Sequence, residues 1–256
     1  MAPDLASVLL SGVIGLALGI FGGGGSILAV PVLVLVTHLA PAEAVGTSLA
    51  MVGTTSLVAS YAHYRQGVAR PKVGLLFGLS GVLTAFLGAK LTGLVSGGVI
   101  LHAFAVLMLV VGIGMLFGKG RVATGEVRRG EPRPTAAALA GAGVGLVTGF
   151  LGVGGGFLVV PALIAFAGLD MREAVGTSLL VIALNSTAGF VGHLGGGHLD
   201  LGLIAELTIA AVTGALVGER IARGISTLRL RRGFGVIVVA VGIAVVLAGG
   251  LGGHAT

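Results

Sequence analysis

The sequence predicts an all-α polytopic membrane protein of two homologous halves, each a glycine-broken re-entrant hairpin followed by three transmembrane helices. Composition, an internal duplication and the placement of basic residues carry that expectation. Of the 256 residues 55% are hydrophobic and 9% charged, and the mean hydropathy is +1.12. So few polar side chains cannot cover a soluble globule, which points to a lipid bilayer. Glycine at 49 residues with 5% aromatics suits helices that associate in lipid by close backbone approach.

The duplication has an offset of 130 residues: Gly19–Leu49 aligned with Gly149–Leu179 has 16 identical pairs in 31, an unbroken register that marks a repeat. The pairs include Gly22/Gly152, Gly24/Gly154, Gly25/Gly155, Pro31/Pro161 and the whole run EAVGTSL at Glu43–Leu49 and Glu173–Leu179. Each copy sets a glycine cluster inside a long apolar segment, where every glycine costs a plain helix roughly 1 kcal/mol against alanine. A break in the helix is therefore expected there.

Apolar runs fall at Leu5–Leu39, Ala42–Tyr61, Val73–Leu94, Gly98–Phe117, Ala136–Leu169, Glu173–His193, Leu199–Val217 and Phe234–Leu251. Most match the ~20 residues that span a bilayer core. The first and fifth are too long for one straight crossing, while each arm beside the glycines is too short to cross alone. A re-entrant hairpin fits both; the alternative is eight crossing helices.

Basic residues decide between these. If both long segments cross, the 15 Lys and Arg divide 8 against 7. If both re-enter, all but Lys90 fall on one face, 14 against 1, as on a cytoplasmic side. Three crossings per half then turn the second copy upside down, an inverted repeat of the kind secondary transporters use. Both termini are expected outside. The halves are residues 1–117 and 136–256, joined by a cytoplasmic linker at 118–135. The start, MAPDLASVLL, lacks a basic residue before its apolar run and does not read as a cleaved signal peptide.

In a hairpin, Gly22, Gly24, Gly25, Gly152, Gly154 and Gly155 permit positive φ, and Ser26 and Gly156 open the second arms with unpaired amides at membrane depth. Two such helix starts, approaching the midplane from opposite sides, make an electropositive site for a small anion. Thr47, Ser48, Thr177 and Ser178 lie early in the following helices and would add hydroxyls, although each hydroxyl could instead bond back to its own helix. Thr55 and Asn185 extend the polar lining. Glu206, a carboxylate inside a crossing run, is the candidate for proton coupling. Glu43 and Glu173 suit helix N-termini, and the repeated His63 and His193 lie at helix ends.

Several classes are excluded or disfavoured. The net charge of +6 resides in short connections between apolar runs, which argues for membrane orientation rather than nucleic-acid binding. Without cysteine there is no disulfide or thiolate chemistry. No nucleotide-binding loop or hydrolase motif is present, so no enzyme, cofactor or metal is expected.

The paired stretches GGGGSILAVPVL at Gly22–Leu33 and GVGGGFLVVPAL at Gly152–Leu163, with the two AVGTSL runs, resemble the sulfite exporter TauE/SafE family, also called the toluene-sulfonate uptake permease family. The resemblance covers nearly the whole chain; the copies depart from each other at Gly23–Ser26 against Val153–Gly156. It implies a permease that moves small sulfur-containing anions, such as sulfite, sulfonates or sulfoacetate, across a prokaryotic plasma membrane. The residues alone lead to a secondary transporter for a small anion, working by alternating access. An anion channel of the same fold and a non-transporting membrane scaffold are the alternatives.

Overall fold

The computed structural model describes residues 5–30, 33, 39, 41–92, 97–117, 134–151, 156–193 and 200–251. Among these the chain forms nine α-helices and a 3₁₀ segment at Gly22–Leu28. The helices are α1 (Leu5–Phe21), α2 (Pro41–Arg65), α3 (Pro71–Thr92), α4 (Gly97–Phe117), α5 (Pro134–Leu151), α6 (Gly156–Ala165), α7 (Met171–His193), α8 (Leu201–Gly224) and α9 (Thr227–Leu251).

The helix starts are written locally. α2, α3 and α5 begin at prolines, where the absent N–H is one that a first turn leaves unpaired and the ring presets φ. Pro134 lies inside the expected 118–135 linker, of which residues 118–133 lie outside the described residues. α7 opens with a capping box: the Glu173 amide donates to Asp170 Oδ1 at 2.8 Å, and the Asp170 amide to Glu173 Oε2 at 3.3 Å. Asp200 caps α8 by accepting from the amides of Gly202 and Leu203 at 2.9 and 3.1 Å. Those two bonds hold its carboxyl below the ordinary aspartate value, the Leu203 bond most strongly.

The polarity is that of a lipid-embedded bundle. Leu83 and Leu139 are 72% and 77% exposed, whereas Thr55, Ser56 and Thr177 are 0% exposed. α3, α7 and α8 carry apolar stretches long enough to cross a membrane. α2, α4 and α9, at 25, 21 and 25 residues, also reach the length that spans one.

The two halves are interlaced. Gly15 and Gly19 of α1 lie against Ala211 and Ala215 of α8, while Gly145 and Gly149 of α5 lie against Gly81 and Ala85 of α3. At each of these glycines a Cβ would overlap a backbone carbonyl, so backbone touches backbone. Residue numbers rise together along both pairs, which makes them parallel, and the offset of 130 carries one contact set onto the other. Copies of the same helix pair the opposite way. Along α2 and α7, Leu49 meets Gly189, Gly53 meets Ser186 and His63 meets Gly176. Along α4 and α9, Met108 meets Gly242 and Gly112 meets Gly235. Both pairs are antiparallel.

At the first glycine cluster α1 stops at Phe21 and Gly22 takes φ +65°. A Cβ on Gly25 would lie 2.6 Å from the Leu18 nitrogen and 2.9 Å from the Ile14 oxygen. In a continuous helix residue 25 would stand about 10 Å beyond Leu18; here Gly25 lies beside Leu18 and Ile14 of α1. Of the glycines expected to permit positive φ, Gly22 takes it among the described residues, facing Ser178 and Val175, while Gly25 lies in close approach to α1. The chain from Gly22 to Leu28 is 3₁₀, with Ser26 inside it.

In the second copy α6 starts at Gly156, the residue expected to open the arm, and residues 152–155 lie outside the described residues. With ten residues α6 is about 15 Å long, half a bilayer core. It is apolar on every side and all of Gly156–Ile164 except Pro161 is buried, as a helix sunk within protein must be. Phe157 packs edge-on to Phe104 of α4 with ring centres 5.4 Å apart.

Candidate functional site

The 3₁₀ segment of the first copy meets the start of α6 in the second. Gly23 and Gly156 are in direct backbone contact, with no room for a side chain on either. The Ser26 hydroxyl lies over Gly156 and donates to the Gly23 carbonyl at 2.8 Å. Gly22 faces the Ser178 hydroxyl and the Val175 carbonyl. Gly22, Ser26, Gly156 and Ser178 are thus brought together from both copies, with Gly23 and Val175 as members the motif reading missed. Gly24 lies within the 3₁₀ segment, Gly25 against α1, and Gly152, Gly154 and Gly155 outside the described residues. The first amides of a helix that begins at Gly156 would form its positive end.

The hydroxyls divide between roles. Ser48 and Ser178 donate to Val45 and Val175 of their own helices, both at 2.8 Å. Each hydroxyl proton is committed to its own helix, which leaves the oxygens as acceptors. Thr177 Oγ1 accepts from the Arg70 amide at 3.0 Å, so it holds the start of α3 from the other half instead of lining the site. Thr47 is buried in α2. Thr55 Oγ1, Ser56 Oγ and Asn185 Oδ1 are buried without a hydrogen-bond partner. Thr55 and Asn185 are equivalent by the duplication and stand near one level of the antiparallel α2/α7 pair, close to where Gly53 meets Ser186. Buried polar atoms without partners are uncommon and mark places where a ligand or water completes the bonding.

Glu206 does not join this interior; it is exposed on α8. The buried carboxylate of that helix is Glu219, 3% exposed. Its Oε1 accepts from the side-chain amide of Gln66, just past the end of α2, and from Arg223 Nε and Nη2, both at 2.8 Å. These groups border a shallow open cleft together with His63, Arg172, Val175, Ile20 and Leu230. Arg172 donates to the carbonyls of Arg223 and Ile225 at 3.0 and 2.9 Å, a cation on the negative end of α8. Burial pushes the His63 imidazole below its ordinary value, against the opposing pull of the Ala59 carbonyl, 2.9 Å from Nδ1, and of Glu219. The visible signal for this cluster was the Glu219–Arg223 spacing of four, just beyond an apolar run.

Residues 7–245 match the family described as Sulfite exporter TauE/SafE. The chain belongs to the sulfite exporter TauE/SafE family. A probable membrane transporter protein of Xylella fastidiosa is 36% identical over 92% of both chains. The probable membrane transporter protein YdhB of Bacillus subtilis is 29% identical over 83% of this chain and 88% of its own. At 23% identity, the probable membrane transporter protein MJ0441 of Methanocaldococcus jannaschii matches over 88% of both. No solved structure is a significant match. Among the described residues three helices of this TauE/SafE family member are long and apolar enough to cross a membrane, and these relatives are named as probable membrane transporter proteins.

Proposed function

We propose that this TauE/SafE chain is a secondary transporter for a small sulfur-containing oxyanion such as sulfite or a sulfonate, acting by alternating access in a prokaryotic plasma membrane. Its halves form an inverted repeat with two re-entrant hairpins and six crossings, the 118–135 segment is cytoplasmic, and both termini are outside. The antiparallel pairing of α2 with α7 and of α4 with α9 supports an odd number of crossings per half; with four per half those copies would run parallel. The anion sits where the hairpins meet, held by the first amides of α6 and the backbone at Gly22–Gly25, with Ser26, Ser48 and Ser178 turning their hydroxyl protons to it from the carbonyls of Gly23, Val45 and Val175, and Asn185 deeper.

The observation that carries the reading is the contact of Gly23 with Gly156, beside Gly22 and Ser178. Backbone amides at half-membrane depth can stabilise an oxyanion without the cost of a buried lysine or arginine. The test is flux of sulfite, thiosulfate and alkyl sulfonates into liposomes containing the purified protein. Saturable flux that responds to a proton gradient is expected. Flux that does not saturate would make the protein a channel, and no flux of any of these anions would return it to a scaffold.

A further inference from the structure

We propose that the cleft at the joined ends of α2, α7 and α8 is an anion-entry site whose donors Glu219 occupies until it is protonated, so that one proton and one oxyanion bind together. This rests on the anion-transport reading above and supplies its coupling group.

The Glu219 carboxylate already behaves as a bound anion. One of its oxygens takes both the Gln66 amide from the first half and the Arg223 guanidinium from the second. A sulfonate or sulfite offers the same acceptor oxygens, and an arginine fork accepts either. The two anions therefore compete for one donor set. While ionised, Glu219 fills that set and repels a second anion; once protonated, it releases Arg223, whose side chain is 55% exposed toward solvent. By reciprocity, an anion bound to Arg223 raises the affinity of Glu219 for a proton by the same factor.

The location suits an entrance. The cleft reaches Ile20 and Val175, and Val175 is the residue against which Gly22 turns. Two of the other charged groups around it are engaged. Arg172 of α7 is held by α8 carbonyls, and Glu173 by Arg70 at 2.5 and 2.9 Å. From α9 the cleft receives Leu230, beside the buried Arg231 and its neighbour Arg232. His63 of α2 is the second titratable group on the wall, buried and against Gly176. The device is built once: the duplication places Ala89, Gly93 and Gly196 where the second set would need Glu219, Arg223 and Gln66.

Calorimetry with methanesulfonate and benzenesulfonate tests this, because both stay ionised and only the protein titrates. In lipid nanodiscs the wild-type chain should bind more tightly as pH falls, about tenfold per pH unit while Glu219 is ionised. Buffers of different ionisation heat should report uptake of about one proton per anion. Glu219→Gln should bind at the acid-limit affinity at every pH, with no proton uptake. Should that variant fail to fold, the wild-type proton count decides alone. Anion binding without proton uptake overturns the inference and leaves the transport reading standing. A pH response kept in Glu219→Gln but lost in His63→Gln also overturns it, by moving the proton to His63. No binding of sulfonate, sulfite or thiosulfate at any pH removes both.

Discussion

The α1/α8 and α3/α5 pairs are the same junction made twice, with different chemistry. Both are parallel, and both rest on backbone contact at equivalent positions, Gly15 and Gly19 against Gly145 and Gly149. In α3/α5 the Ser80 and Thr84 hydroxyls also reach the carbonyls of Ala138 and Ala142 at 2.8 and 2.7 Å. Their copies on α8 are Ala210 and Gly214, which offer nothing comparable. The α1/α8 pair instead buries Ser7 and Ser11 with hydroxyls that have no partner. Glycine therefore sets the distance in both junctions, and hydroxyl bonding is an addition to one, because lipid provides little drive for helices to associate except close packing.

The comparison can be broken at its strongest point first. Gly15→Val and Gly145→Val each force a branched side chain into a carbonyl and should cost about 3 kcal/mol or more, read as loss of folded protein in denaturant titration. Equal losses are expected, and tolerance at one site alone would show that the junctions are not equivalent. Next in size is Gly22→Ala. The left-handed conformation costs roughly 1–2 kcal/mol, and the new Cβ would meet the Ser178 hydroxyl. Gly22→Ala with Ser178→Gly should regain part of the stability but not anion affinity.

Smaller effects sharpen the contrast. Ser80→Ala and Thr84→Val should each cost about 0.6 kcal/mol, at most ~1.7, the range of interhelical hydrogen bonds within membranes. Ser11→Ala should cost nothing or stabilise, since it removes a buried hydroxyl without a partner. The same unfolding titration measures all three, and a large loss in Ser11→Ala would reveal a partner that matters. A pH series then isolates His63. Its folded pKa lies below the unfolded value of 6.5, so the unfolded chain takes up the proton first. The associated stability is complete above about pH 6.5 and is lost as pH falls through the folded pKa. His63→Gln should flatten that slope, and an unchanged slope would assign it elsewhere.

Much of this architecture was legible locally. The capping box at Asp170–Glu173, the proline starts at Pro41 and Pro71, and the opening of α6 at Gly156 follow from residues within one turn of each other. The site was legible only in part. The duplicated EAVGTSL suggests four equivalent hydroxyls, yet Thr177 serves the amide of Arg70 and Ser178 faces Gly22. Adjacent helical residues point about 100° apart, so a motif cannot state which of its members meets a partner.

The sequence by itself determined a lipid-embedded helical bundle, its duplication and the neighbourhood of the first break, because hydropathy, repeat register and glycine content are properties of single residues and short runs. Only the tertiary structure decided that the first turn falls on Gly22, that Gly23 meets Gly156, and that Glu219 rather than Glu206 is the carboxylate taken inside. Those facts depend on helices far apart in the chain, Gln66 with Glu219 and Gly22 with Ser178, whose rotation about their axes is set by mutual packing. No local preference of the chain records that rotation, since it is the glycine and alanine contacts of α1 with α8 and α5 with α3 that select it.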